Sequence, residues 1–122
     1  MENTCCAPSI PYCLTQGAGF YETIDWEDPE TDDPIDLTGY TAKMQIRSSP
    51  SSSEVVLELS TENGRILNSG ATGILTLLVD AEDTADLPAP FVGVYSLLVT
   101  NPDGFVTNLL TGVFNINEAI TK

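Results

Sequence analysis

Residues 41–47 alternate without a break: Ala42, Met44 and Ile46 share one parity, and Lys43, Gln45 and Arg47 share the other. A period of two is what a half-buried β-strand requires, whereas a helix would scatter these three apolar side chains around its axis. The same signature recurs along the chain in short runs. Residues 54–60 place Val55, Leu57 and Leu59 inward and Val56 and Glu58 outward. In residues 91–100, Tyr95, Leu97 and Val99 share one face. Residues 74–79 are nearly all apolar and read as a strand covered on both faces.

Between these runs lie residues that turn a chain. Asp36-Leu37-Thr38-Gly39-Tyr40 is a compact turn, because Asp36 or Thr38 can bond neighbouring backbone N–H groups and Gly39 tolerates positive φ. Asn63-Gly64 and Asn101-Pro102-Asp103-Gly104 are further turn signals, and Ser48-Ser49-Pro50-Ser51-Ser52-Ser53 reads as a flexible loop. Residues 16–26 form the first strand, 66–67 a short one and 105–117 the last, with Val106, Leu110, Phe114 and Ile116 as core candidates. Residues 81–87 suit one helical turn with Asp80 as N-cap, stopped by Pro88 and Pro90. About seven strands at spacings of roughly 8–14 residues predict an all-β, immunoglobulin-like antiparallel sandwich. It should occupy residues 16–117, with a C-terminal tail at 118–122. The core should include Met44, Ile46, Leu57, Leu59, Leu77, Tyr95, Leu97, Leu110 and Phe114.

Residues 1–15 read differently. Pro8 and Pro11 favour extended backbone, and all three cysteines of the chain, Cys5, Cys6 and Cys13, lie here beside Ile10, Tyr12 and Leu14. The segment is predicted to be an extended N-terminal arm outside the sandwich, dispensable for folding and docked on a partner through Cys5, Cys6, Ile10, Tyr12, Cys13 and Leu14. An odd terminal cluster is not an intradomain disulfide framework. The thiols are open to three readings: unpaired groups in a docked arm, intersubunit disulfides, or ligands to a shared metal. Zinc and iron–sulfur sites usually want four ligands, so no metal site is assigned.

Charge limits the function classes. The chain carries 18 acids against four bases, Lys43, Arg47, Arg65 and Lys122, for a net charge of −14. Binding to nucleic acid or to an anionic membrane surface relies on Lys and Arg, so neither is expected. No apolar run approaches the roughly 18 residues needed to span a bilayer, and no secretory signal is visible. There is no His, no phosphate-cradling Gly-rich loop and no Gly-x-Ser-x-Gly elbow. An enzyme and a bound cofactor are therefore not expected. The acidic run Asp25, Glu27, Asp28, Glu30, Asp32, Asp33 and Asp36 lacks the spacing of an EF-hand and reads as a solvated loop rather than a Ca²⁺ site. Trp26 reads as core packing or a partner anchor, and Tyr95 as either a core aromatic or a corner tyrosine.

One stretch is more specific than a generic strand-and-turn pattern. Gly17 to Phe20 open a strand leading to Ile24-Asp25-Trp26. Pro34-Ile35-Asp36-Leu37-Thr38-Gly39-Tyr40-Thr41-Ala42-Lys43-Met44-Gln45-Ile46-Arg47 follows, then Gly64-Arg65-Ile66 and Asn101-Pro102-Asp103-Gly104. This resembles small structural proteins of tailed bacteriophages, and is similar to the N-terminal domain of the phage upper-baseplate protein family with its Asp-Leu-Thr-Gly turn. The resemblance covers about residues 16–117 and carries no catalytic residues. It implies an immunoglobulin-like sandwich that works in the virion, assembled in the host cytoplasm, with other virion proteins and copies of itself as partners. The family's long C-terminal helical region has no counterpart here, which suits an adaptor, a tail-decorating or a capsid-decorating protein as well as a baseplate component. The alternative of another class is a carbohydrate- or Ca²⁺-binding adhesion module.

Overall fold

The protein is described by a computed structural model over residues 9–28 and 30–120. Eight strands and one short helix follow in chain order: β1 (Tyr12–Thr15), β2 (Phe20–Asp25), β3 (Thr41–Arg47), β4 (Leu57–Ser60), β5 (Ile66–Asn68), β6 (Ile74–Val79), α1 (Ala81–Ala85), β7 (Phe91–Thr100) and β8 (Val106–Asn117). They form a five-stranded sheet in the order β1-β8-β7-β3-β4 and a three-stranded sheet in the order β2-β6-β5. The chain is an all-β, immunoglobulin-like sandwich. Its β8-β7-β3 and β2-β6-β5 orders are those of the G-F-C and B-E-D strands of that plan.

The alternation seen in the sequence becomes the core. Ala42, Met44 and Ile46 from β3 meet Leu57 and Leu59 from β4, and Tyr95, Leu97 and Val99 from β7. From the other layer come Phe20, Ile66, Leu75, Leu77 and Val79. All nine core residues named from the sequence are buried. Leu37 adds an apolar plug from a turn. The Asp36 carboxylate accepts from the Thr38 N–H and hydroxyl, Gly39 takes φ +82°, and the Asn68 amide donates to the Leu37 and Tyr40 carbonyls. These bonds hold the Thr38 side of the turn outward and drive Leu37 to complete burial.

Four expectations need correction. Residues 9–15 are not an arm outside the sandwich. β1 pairs in parallel with β8, Tyr12 opposite Phe114 and Leu14 opposite Ile116, and Ser9 bridges to Thr111. The sandwich therefore includes residues 9–15, which the expected boundary at residue 16 left out. The reason is parity: Tyr12 and Leu14 face inward, and their burial stabilises an edge strand that a sequence of isolated prolines conceals. Second, Val106 points to solvent. A β-bulge between Leu97 and Leu98 leaves Leu109 as an extra residue on β8, so both Leu109 and Leu110 are buried and the parity flips on either side. Third, Val55 is exposed, because β4 begins only at Leu57 and the chain enters it irregularly. Fourth, β6 is covered on one face only: Leu75, Leu77 and Val79 are buried, whereas Ile74, Thr76 and Leu78 are half-buried.

The link from β1 to β2 is pinned by α1. Asp80 stands at the N-cap, but its side chain makes no cap bond; its carbonyl accepts from Asp83 and Thr84. Thr84 is fully buried; its hydroxyl accepts from the Gly17 N–H and donates to the Ala18 carbonyl. The acidic run folds on itself as a small hairpin, with Glu27 paired to Pro34 and the Asp28 carboxylate accepting from the Glu30 N–H. Among the described residues no three His, Cys, Asp or Glu side chains are grouped for a metal ion.

Candidate interaction surface

The six residues singled out in the N-terminal segment separate. Cys5 and Cys6 lie outside the described residues. Tyr12 and Leu14 face the core, Leu14 with only 4% of its surface exposed. Cys13, between them, faces out and is a free, exposed thiol. Ile10 is held by its backbone: its N–H donates to the Thr111 carbonyl, and its own carbonyl accepts from the Tyr95 hydroxyl. The structure thus gives Tyr12 and Leu14 to folding and leaves Ile10 and Cys13 on the surface.

Tyr95 is not a corner tyrosine bonded a few residues upstream. Its hydroxyl reaches 85 positions back and ties the N-terminal segment to the sheet. Around it Tyr12, Phe20 and Phe114 form one aromatic cluster, with ring centroids 5.4 to 6.5 Å apart. Burial raises the phenol pKa of Tyr95 above its ordinary value, and the neighbouring Tyr12 adds to the rise. Tyr12 is raised by burial first and by the Glu22 carboxylate second.

Both phenols are raised in the folded state, so their contribution is fully present below the unfolded value of about 10 and is lost as pH climbs through the folded values. The urea midpoint should be insensitive to these groups up to about pH 10 and fall above it. Tyr95→Phe should flatten that fall. A midpoint unchanged to strongly alkaline pH would contradict the burial of these phenols.

The outer face of the five-stranded sheet is set by the same alternation. Rows run across it: Cys13, Asn115 and Val92; then Val113, Val94 and Arg47; then Thr111, Ser96, Gln45 and Glu58. Below these lie Leu98, Lys43 and Ser60. Val92 is 70% exposed, Val113 43% and Leu98 38%. In a chain with 18 acids, the strands of this sheet contain just one, Glu58, together with two of the four bases. Glu58 accepts from the Gln45 amide, which in turn accepts from Arg47. Arg47 also donates to the Ser52 carbonyl, drawing the serine loop to the rim. Lys43 makes no salt bridge among the described residues.

A shallow groove crosses this face between Ser9 on one side and Pro50 on the other, floored by Val94, Ser96 and Thr111. Sequence reasoning missed the surface because it followed the buried parity of β7. The signal was present: Val92, Val94 and Leu98 put apolar residues on the other parity too, which a strand facing only water does not need.

No family model matches the chain, and no curated protein matches it. Among solved structures, one from a photo-crosslinking study of multimeric cell-adhesive interactions of VGSC beta subunits is 10% identical, covers 99% of this chain and 100% of that chain, and has a TM-score of 0.48. Drosophila OTK, extracellular domains 3–5, is 15% identical over 89% of this chain and 33% of that chain, with a TM-score of 0.37. The chain spans about a third of the latter.

Proposed function

We propose that this protein is a non-enzymatic structural component of a bacteriophage virion, in the tail, the baseplate or an adaptor, and that it acts by protein–protein assembly. The observation that carries assembly is the outer face of the five-stranded sheet: it exposes Val92, Val113 and Leu98 among mostly neutral polar residues and is poor in acid on an otherwise strongly acidic domain. Exposed apolar surface of this kind serves contact with another protein. The virion setting comes from the resemblance of residues 34–47 to phage structural proteins. The Asp36–Thr38–Gly39 turn and the β3 alternation on which that resemblance rests are both folded elements here.

Quantitative mass spectrometry of purified particles from the virus encoding this chain tests the reading. The chain should be present at a small multiple of three or six copies for a tail or baseplate position. Hundreds of copies would move it to the capsid surface as a decoration protein. Absence from washed particles would overturn the virion reading. A melting temperature raised by Ca²⁺ or by a glycan would favour an adhesion module instead.

A further inference from the structure

We infer that residues 1–8 of this chain lie across the shallow groove on the outer face of the five-stranded sheet and bring the Cys6 thiol over Ser96. Val92, Val113 and Leu98 do not line that groove and stay free for the assembly role proposed above.

The position of Ser9 selects the occupant. Ser9 is itself one wall of the groove, exposed and bridged to Thr111 of β8. Pro8 has no N–H to donate, so the pairing with β8 that the Ile10 N–H begins cannot extend upstream of Ser9 in the same way. The row that starts at Ser9 continues across the sheet through Thr111, Ser96 and Gln45. At about 4.8 Å per strand, Ser96 lies roughly 10 Å from Ser9 and Gln45 roughly 14 Å. An extended chain rises about 3.3 Å per residue, which sets Cys6 over Ser96 and Cys5 near Gln45. Cys6, Ala7 and Pro8 are small, as a shallow groove requires.

Charge agrees. The side chains lining the groove include no acid and one base, Arg47. Residues 1–8 hold one charged side chain, Glu2, and its place seven residues before Ser9 gives it the reach to meet Arg47. A second copy would instead set a net charge of −14 against another −14. Tethering adds to the preference. A segment joined directly to its site binds at an effective concentration on the order of mM, without the translational cost that a separate partner meets.

Disulfide trapping in the full chain tests this placement. Cys5→Ser and Cys13→Ser together leave Cys6 as the one native thiol. Ser96→Cys then adds a second thiol inside the groove. Val113→Cys adds one on the same face outside the groove and nearer to Ser9, at roughly 8 Å by the same spacings. In a glutathione redox buffer the intrachain disulfide is read by mass spectrometry. It should form with Ser96→Cys at an effective concentration at least about tenfold that of Val113→Cys. Melting curves check that each variant is folded. If Ser96→Cys is not, Gln45→Cys paired with Cys5, in a chain carrying Cys6→Ser and Cys13→Ser, takes its place. Equal values for Ser96→Cys and Val113→Cys overturn the inference, since a segment free in solvent has no reason to prefer the farther thiol. A disulfide that forms only between chains overturns it in favour of a second copy. Preferential trapping by Thr23→Cys, on the edge strand β2, overturns it by moving the segment to the other sheet. Copy number in particles does not enter this measurement, so the virion reading and this placement fail separately.

Discussion

A chain truncated to begin at Gln16 should lose half or more of the stability of the full chain. Leu14 is buried against Ile116 and its neighbours, and losing such a side chain costs about 2–5 kcal/mol. Tyr12 contacts three other rings, and such pairs add about 0.5–1.5 kcal/mol each beyond their buried area. A domain of this size has about 5–15 kcal/mol in total. Truncation also strips the Tyr95 hydroxyl of its acceptor and leaves the last strand with an open edge. Urea denaturation followed by tryptophan fluorescence would measure the loss.

The same docking can be broken without removing a residue. A Cβ on Gly112 would collide with the Ile10 carbonyl oxygen, and both atoms are backbone or fixed to it. Gly112→Val should therefore lift residues 9–11 from the sheet and cost about 1–3 kcal/mol. A truncated chain that unfolds at the same urea concentration as the full chain would show that β1 is a passive attachment.

The second large effect lies at Phe114. It is completely buried and touches Tyr12, Phe20 and Tyr95, so it joins β1, β2, β7 and β8 at one point. Phe114→Ala should cost about 3–5 kcal/mol, lowering the melting temperature on the order of 10–20 °C for a domain of this length. It should also weaken the attachment of β1, so the Ile10 and Gln16 amides, which donate to the Thr111 and Asn117 carbonyls of β8, should exchange hydrogen faster in the variant. A destabilisation below about 1 kcal/mol would mean that the cluster repacks around the gap.

The segment around Phe114 shows what a sequence can and cannot carry. Side-chain alternation is a local property, and so is turn chemistry. Ala42, Met44 and Ile46 therefore identified their strand and its buried face, and Asp36, Thr38 and Gly39 identified their turn. The residues of β8 were recognisable as a strand for the same reason. Which way Val106 faced was not, because the bulge at Leu109 answers to the pairing of β8 with β7 and not to the composition of either.

The N-terminal segment was misjudged for a related reason. Two prolines and three cysteines suggest a free arm, yet Tyr12 and Leu14 find a parallel partner about a hundred residues away. Nothing near them in the chain signals that partner. Gly112 permits it by having no side chain, and Tyr95 holds it by a bond from a different strand.

The candidate surface had one visible trace, the apolar residues on the outward parity of β7. Its scarcity of acid was hidden, since the acids are spread along the chain and folding sends most of them to the ends and the other layer. Local periodicity and turn propensity thus determined the strands, the turns and most of the core. Long-range burial, which chooses among many possible strand pairings, alone decided where the domain begins, where the last strand kinks and which face is left open for a partner.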